Sequence, residues 1–322
     1  MQMNNKILHK GLSLMGVAIA AMMITSCQYK DFEEEGGNDQ RIPVRLAFDW
    51  NKVDSISEKM QVMFYRGETG SYERFDIGNN GPSNPAVIYI TPGEYQVTAW
   101  NNDATHVYFE GYNARKNVSA KSPAYNPHNS PGLQKVVDSL FAGQPVLDYP
   151  DYMVHANKEN VIIDANTPDI ILPVDSMVVT VDVKIGGIAG LEMVRSVKGA
   201  INNVAGRRYM AWENKTKEPV TVLFDARCDV PDSTVTAHFW VFGLEPEELQ
   251  NTDHKAALFF WTNGGKIFIE LDVTEFFKQC GSEGKNLNIY IPDLDIDLKD
   301  FLPQGLDIEI EGWDDEYKPI GF

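Results

Sequence analysis

The sequence predicts an all-β protein that consists of two β-sandwich domains in tandem. The first observation is that apolar and polar residues alternate at a period of two in many short runs. The second is that turn residues separate these runs at short intervals, and no run has the spacing of a long helix. Short alternating strands joined by turns are typical of β-sandwiches.

The predicted N-terminal domain comprises residues 43–166 and begins with a half-buried strand. In this strand Val44, Leu46 and Phe48 form the apolar side, and the intervening residues include Arg45. The further strands of this domain are predicted at 60–64, 72–77, 87–90, 95–99, 107–112, 152–154 and 161–163.

Turns and one insertion connect these strands. Residues 66–70 are rich in glycine and charge, and they predict a tight turn. Pro92 and Gly93 predict a second turn, because proline presets φ and glycine supplies a positive φ. The polar residues 113–131 are interpreted as a plain insertion, and the helical spacing of apolar residues in 133–141 predicts a short helix.

The predicted C-terminal domain comprises residues 167–322, with Ile170 opening its first strand. Residues 177–185 show the clearest alternation in the chain, and they predict a strand with a continuous valine side. The further strands of this domain are predicted at 194–200, 220–224, 234–242, 257–261, 266–271, 287–291 and 306–311.

The sequence also predicts how the strands of the second domain are connected. Residues 186–190 are rich in glycine, but they lack the spacing and context of a phosphate-binding loop and predict a strand–strand connection. Asn263 and Gly264 predict a β-hairpin. Residues 274–280 are interpreted as a helical turn or a strand extension.

The first 27 residues have the features of an export signal. Lys6 and Lys10 form a basic segment, and residues 12–24 form an apolar run without charge. A helix that spans a bilayer needs about 20 apolar residues, so this run is too short. Its end, at Ser26 and Cys27, resembles the bacterial lipoprotein signal, which implies a lipidated Cys27 and a membrane anchor. The alternative is an ordinary secretory signal with a chance cysteine.

An acidic tether follows the cysteine over residues 28–42. Its closely spaced carboxylates repel each other and stay solvated. A cysteine followed by a lysine and an acidic cluster resembles the surface-export signal of Bacteroidota lipoproteins. That resemblance implies an outer-membrane protein that faces the cell exterior, and the alternative is a spacer on the periplasmic side.

Composition restricts the partners and the covalent chemistry. The formal net charge of −18 repels phosphate backbones, so no nucleic-acid partner is expected. Cys228 and Cys280 remain after lipidation, and the sequence leaves both a disulfide and two free thiols open.

No catalytic or metal-binding pattern is present, and we predict a non-catalytic protein without a cofactor. The six histidines are scattered and form no zinc-ligand pair, and no nucleophile-elbow motif occurs. Asp293, Asp295 and Asp297 invite a calcium interpretation, but the glycine and glutamate of a calcium loop are absent. Alternation with apolar residues favours a strand with a solvated face.

Several segments resemble a known family. Residues 48–50, 91–97, 150–152 and 179–194, together with the lipoprotein head, are similar to the fimbrillin-like lipoproteins of Bacteroidota. The nearest group is an uncharacterised branch related to the Mfa-like fimbrial anchor proteins. The resemblance implies two transthyretin-like Greek-key β-sandwiches, and a role as a fimbrial anchor or accessory subunit in adhesion. It also implies fimbrial subunits as partners through strand exchange.

The same resemblance suggests a processing step. Polymerising subunits of that family lose their first strand by proteolysis after an arginine, and Arg41 and Arg45 are the candidates here. An anchor stays uncut, and we predict that this chain stays attached through Cys27. The alternative function is a glycan-binding surface lipoprotein with exposed aromatic platforms. Its candidate residues are Trp100, Trp212, Trp240, Trp261 and Trp313.

Overall fold

The computed structural model describes residues 41–67, 71–126, 133–141, 143–211, 219–244, 253–281 and 284–301. The predicted signal peptide, the predicted tether up to residue 40 and the predicted strand 306–311 lie outside the described residues. Within the described residues the all-β prediction is confirmed, because strands in five sheets dominate and the helices are short.

The elements follow each other in this order. The strands of the first half are β1 (Ile42–Asp49), β2 (Lys59–Tyr65), β3 (Tyr72–Gly78), β4 (Ala86–Ile90), β5 (Gly93–Asn101), β6 (Tyr108–Glu110), β7 (Ser119–Lys121), β8 (Val146–Asp148), β9 (Val154–Ile163) and β10 (Ile170–Ser176). Those of the second half are β11 (Val179–Ile185), β12 (Ile188–Ala189), β13 (Val194–Ala205), β14 (Arg207–Tyr209), β15 (Pro219–Asp225), β16 (Arg227–Asp229), β17 (Thr234–Val241), β18 (Lys255–Thr262), β19 (Gly265–Asp272), β20 (Asn286–Ile291) and β21 (Ile296–Asp297). The α-helices are α1 (Leu133–Leu140) and α2 (Thr274–Cys280).

The first sheet has seven strands in the order β3-β2-β5-β9-β10-β1-β4. It rolls up so that buried side chains of β1 share one core with those of β2, β5 and β9. Leu46 and Phe48 of β1 are fully buried there together with Val62 and Phe64 of β2. The period-two alternation of β1 therefore marks its core side correctly.

The turn at Pro92 joins β4 to β5, as predicted, although these two strands are not neighbours in the sheet. The hydroxyl of Tyr95 donates a hydrogen bond to the Thr91 carbonyl over 2.7 Å. The same hydroxyl accepts one from the Arg66 guanidinium Nε over 3.0 Å. These bonds fix the chain where it crosses from one side of the rolled sheet to the other.

A second core lies between a four-stranded and a five-stranded sheet. The four-stranded sheet has the order β16-β17-β11-β20, and the five-stranded sheet has the order β19-β18-β13-β15-β8. The rings of Phe224 and Phe239, one from each sheet, stack with centroids 4.2 Å apart. Val181 of β11 and Ile201 of β13 are fully buried in the same core, so these two sheets form a β-sandwich.

Two strands between residues 104 and 150 pair with strands of the second half of the chain. Strand β7 pairs with β14, and β8 pairs in parallel with β15. Helix α1 confirms the predicted helix, and it buries Leu133, Val136 and Val137 against the outer side of the five-stranded sheet. The described part of the predicted insertion, residues 113–126, contains β7.

The strand Ile170–Ser176 differs from its predicted place. We expected it to open the second domain, but β10 pairs antiparallel with β9 and parallel with β1. The chain therefore leaves the first sheet only after Ser176. The division between residues 166 and 167 stays a prediction, since the described residues from 41 onward form one compact unit.

Most of the short sequence patterns in the second half of the chain predicted the structure that is observed there. Residues Asn263 and Gly264 close the hairpin of β18 and β19, and 274–280 is a helix. The predicted strand at Asp293–Asp297 forms only at its end, in β21. There the N–H groups of Leu294 and Ile296 donate to the carbonyls of residues 186 and 187, each over 2.9 Å. Gly187 has a φ of 73°, and a Cβ at this position would overlap Asp293.

Candidate functional site

Arg41 and Arg45, the predicted processing residues, occupy different positions. Arg41 precedes β1 and lies outside its ladder. Its Nη2 lies 3.5 Å from Glu73 Oε2 of β3, and 60% of its side chain is exposed. Arg45 pairs with Val87 inside the ladder of β1 and β4. Its side chain reaches Asp169 over 3.3 Å and is also mostly exposed.

Strand β1 has different neighbours along its length. Residues 42–46 pair antiparallel with β4, and residues 46–49 pair in parallel with β10. Strand β4 has only β1 as a hydrogen-bonded neighbour among the described strands. Cleavage after Arg41 would leave β1 whole, whereas cleavage after Arg45 would remove most of the partner of β4.

The outer face of the four-stranded sheet forms a shallow groove, which the sequence did not reveal. Its volume is about 810 Å³, and it extends across β20, β11 and β17 to the start of β16. Alternate residues of each strand point outward because the side-chain period of a strand is two. The groove is lined among others by Asp182, Lys184, Arg227, His238, Asn288 and Tyr290.

Two cross-strand rows organise this groove. In the first row His238 of β17 lies opposite Asp182 of β11, and Asp182 lies opposite Asn288 of β20. The His238 Nδ1 and Asp182 Oδ1 atoms are 2.7 Å apart.

The second row continues over four strands. Arg227 of β16 lies opposite Thr236 of β17, Thr236 opposite Lys184 of β11, and Lys184 opposite Tyr290 of β20. Tyr290 is 56% exposed. The side chains of Lys184 and Arg227 have no hydrogen bond or ion pair with another described residue.

Tyr149 and Asp225 close the groove on the side of β16. The Asp225 carboxylate accepts a hydrogen bond from Lys198 Nζ over 2.6 Å. Burial raises the pKa of the Tyr149 hydroxyl, and the nearby charge of Asp225 adds to this effect. Tyr149 is therefore a neutral phenol at physiological pH.

The remaining predicted positions are spread over the molecule. Cys228 and Cys280 are free thiols, and burial raises the pKa of each. Trp100 is fully buried, and Trp240 and Trp261 are partly buried against apolar neighbours. Cys27, Trp212 and Trp313 lie outside the described residues.

The described residues contain neither a cluster of metal-ligand side chains nor a membrane-spanning helix. Within the ranges given above, no group of three or more histidine, cysteine, aspartate or glutamate side chains is arranged to hold a metal ion. In the same ranges no helix has both the length and the apolar character needed to cross a membrane.

Comparison with protein families gives one assignment. The model of a domain of unknown function, DUF5119, matches residues 26–225, which is more than half of the chain. The chain belongs to the DUF5119 family. A comparison with curated proteins finds no match.

Solved structures show how the DUF5119 chain relates to known folds. A candidate adhesin from Bacteroides ovatus is 18% identical with a TM-score of 0.56, and the match covers 78% of this chain and 93% of that one. A candidate polysaccharide-binding protein from Bacteroides thetaiotaomicron is 11% identical with a TM-score of 0.50, covering 80% and 93%. The fimbrial anchor protein Mfa2 from Porphyromonas gingivalis is 15% identical with a TM-score of 0.46, covering 77% and 89%.

The first two structures establish that this DUF5119 protein shares their fold. The sequence resemblance to an uncharacterised branch of the fimbrillin-like family is confirmed at this level. The groove was missed because its residues come from four strands that are separated in sequence. The only available signal was the alternation of Asp182 and Lys184 with valines in β11, which indicates an outward face but not its neighbours.

Proposed function

We propose that this DUF5119 protein is a non-catalytic lipoprotein of the cell surface, which acts as a fimbrial anchor or accessory subunit in adhesion. The fold shared with a candidate adhesin supports the adhesive role. The basic segment, the apolar run and Cys27 at its end support the lipid anchor. The acidic tether that follows supports export to the outer face of the outer membrane.

The observation that carries this proposal is the position of β1 between two strands of its own sheet. Its residues 42–46 pair with β4 and its residues 46–49 pair with β10, so the uncut chain occupies this place with its own first strand. Val44, Leu46 and Phe48 are part of the first core. A subunit that keeps this strand has no vacant groove for a neighbour at this position. Such a subunit suits the base or an accessory position of a fimbria.

Fimbrial subunits are the proposed partners, through strand exchange. Strand β4 is the edge that fits this role, because it lies at the end of the seven-stranded sheet. Val87 and Tyr89 on its outer side are 57% and 59% exposed. An exposed edge strand offers unpaired N–H and C=O groups to an incoming strand.

The alternative of glycan capture by tryptophan platforms receives less support. Trp100 is part of a core, and Trp240 lies between His238 and Tyr152, with ring centroids 5.3 and 5.9 Å away. A tryptophan platform needs a freely exposed ring face, and these described residues do not offer one.

The test of the anchor is the Cys27→Ser variant in the native bacterium. We expect the wild-type protein to label with palmitate and to sediment with the outer membrane, and the variant to lose both properties. Cys228→Ser is the matched control, because it removes a thiol from the body and leaves the lipidated residue. Membrane fractionation of Cys27→Ser that equals wild type would refute the proposal.

The test of surface exposure and partners uses intact cells. An external protease should degrade the wild-type body without lysis, and mild crosslinking should recover fimbrial subunits. Protection from the protease would contradict surface display. A mature N-terminus at residue 42 or 46 would instead favour a polymerising subunit.

A further inference from the structure

Two cations lie at the groove on the four-stranded sheet, although acidic residues outnumber basic residues in the chain by 46 to 28. The side chains of Lys184 and Arg227 lie at this groove without a hydrogen bond or an ion pair to any described residue. Two cations without acidic partners on one face of an acidic protein favour an anionic ligand.

The carboxylates at the groove are already engaged. Asp182 lies 2.7 Å from the ring nitrogen of His238, and Asp225 accepts a hydrogen bond from Lys198. These contacts reduce the competition of the acidic side chains for Lys184 and Arg227. The cations therefore remain available to a negative group that enters from solvent.

The spacing of the row fits a ligand longer than a single ion. Neighbouring strands are about 4.8 Å apart, so Arg227 and Lys184 arise about 10 Å apart, and Tyr290 arises one strand beyond Lys184. The cations can thus contact one or two anionic groups while the tyrosine contacts an adjacent unit of the same ligand.

The uncharged side chains of the groove indicate the chemistry of the ligand outside its anionic group. The exposed Tyr290 ring offers an apolar face with negative electrostatic character, on which the C–H groups of a sugar ring can stack. Asn288 adds an amide that donates and accepts hydrogen bonds, as sugar hydroxyls require. A peptide would use a free strand edge or deep apolar pockets, whereas this groove is shallow and lies on the face of the sheet.

We propose that this groove binds an acidic saccharide. Lys184 and Arg227 hold its anionic group, a carboxylate or a sulfate, and Tyr290 stacks against a neighbouring sugar ring. Arg227 can engage a carboxylate with two parallel N–H donors, which adds orientation to the attraction. The inference rests on the proposed adhesive role, since it names the class of surface that the protein would recognise.

The experiment is a calorimetric titration of the full-length protein in mild detergent. The probes are an oligogalacturonate, its fully methyl-esterified form and a sulfated oligosaccharide of similar length. We expect binding of at least one acidic probe, and at least a tenfold weaker affinity for the uncharged ester. Binding should weaken with added salt, because the contacts are partly exposed ionic ones.

The variants assign the binding to this groove. Lys184→Gln combined with Arg227→Gln should weaken binding of the acidic probe at least tenfold, and Tyr290→Ala should weaken it severalfold. Lys52→Gln combined with Lys116→Gln is the matched control, since it removes two exposed cations elsewhere. All four cations are on the surface, and circular dichroism spectra should show that each variant is folded.

The outcomes are distinguishable. Loss of affinity in the groove variant but not in the control supports the site, and the preferred probe identifies carboxylate or sulfate as the anion. Equal binding of the acidic and the esterified probes would overturn the proposal. Equal losses of affinity in both double variants, or no binding of either acidic probe, would overturn it as well. None of these results depends on membrane attachment, so a failure here leaves the Cys27 test independent.

Discussion

Leu46 of β1 lies opposite Ile170 of β10, although 123 residues separate the two in the sequence. From this pair to Asp49 the two strands run in parallel. Before Leu46, β1 pairs with β4 instead. Leu46 is therefore the residue at which the first strand changes partners, and both candidate cleavage sites lie on its N-terminal side.

The position of this change predicts the order of proteolysis. Trypsin should cut the folded protein after Arg41 at least roughly tenfold faster than after Arg45, because a ladder residue is cleaved only when the strand opens. Mass spectrometry of N-termini at short digestion times measures both products. Arg41→Gln should abolish the product that starts at Ile42 without accelerating the other cut. Equal initial rates at the two arginines would contradict the observed pairing.

Removal of the Leu46 side chain should destabilise the protein strongly. Leu46 is fully buried in the first core, and Leu→Ala changes at such sites cost about 2–5 kcal/mol. Urea denaturation of Leu46→Ala measures the change in unfolding free energy. Arg45→Ala is the control one residue away, and it should cost below about 1 kcal/mol because its ion pair is exposed. Similar losses in both variants would argue against the assigned inward side of β1.

Any side chain at Gly199 of β13 should destabilise the protein. The Phe224 ring lies directly over this glycine, and a Cβ there would overlap the ring. Since the ring also stacks on Phe239, it has little freedom to move, and Gly199→Ala should cost about 1–3 kcal/mol through overpacking. Gly81→Ala is the control, because its Cβ would meet no atom. A melting temperature that is lower for Gly81→Ala than for Gly199→Ala would contradict this packing.

The sequence predicted individual strands far better than their neighbours. Alternation is a local property, so β11 and the hairpin of β18 and β19 could be recognised from residues 177–185 and from Asn263-Gly264. The parallel pairing of β1 with β10 connects distant segments, and no local pattern specifies it. The pairing of β7 with β14 also connects distant segments, and it links the first half of the chain to the second. The groove depends on the relative register of four strands, so the sequence alone could not predict it.

Asp175 should make stability depend on pH, through a contact between two sheets. Its carboxylate, at the end of β10, accepts a hydrogen bond from Lys285, which precedes β20. Burial raises the pKa of this carboxyl, but the hydrogen bonds from Lys285 and from the Ser176 N–H outweigh that effect and lower it overall. Because the folded pKa is depressed, the contribution to stability is complete above the unfolded pKa of about 3.9 and is lost as pH falls through the folded value.

The corresponding variant is Asp175→Asn. At pH 7 it should lose about 0.5–1 kcal/mol of unfolding free energy, a magnitude typical of a well-formed but partly exposed pair. The difference from wild type should narrow as the pH falls below about 3.9 and through the depressed folded pKa of Asp175. Urea denaturation at several pH values measures it, and Lys285→Gln should be non-additive with Asp175→Asn at pH 7. A difference that stays constant with pH would show that the lost stability is not electrostatic.

Neutralising Glu159 should expose the cost of a buried charge at Arg115. The Arg115 side chain is fully buried, its Nε donates to Thr98 Oγ1 over 3.0 Å, and its Nη2 forms an ion pair with Glu159. Glu159 is half exposed, so Glu159→Gln should cost about 2 kcal/mol, below the range for fully buried pairs. Glu94→Gln, at an exposed position, is the control and should be nearly neutral.

The double variant of this pair tests the cause. Adding Arg115→Met to Glu159→Gln should recover part of the lost stability, because it removes the buried charge that the single variant leaves without its carboxylate. Guanidinium denaturation of the two single variants and the double variant gives the coupling energy. If the losses simply add, or if Glu159→Gln matches the Glu94→Gln control, the ion pair does not neutralise the cost of burying Arg115. Other contacts of Arg115, which include its hydrogen bonds to Thr98 and Gln96, would then stabilise this region.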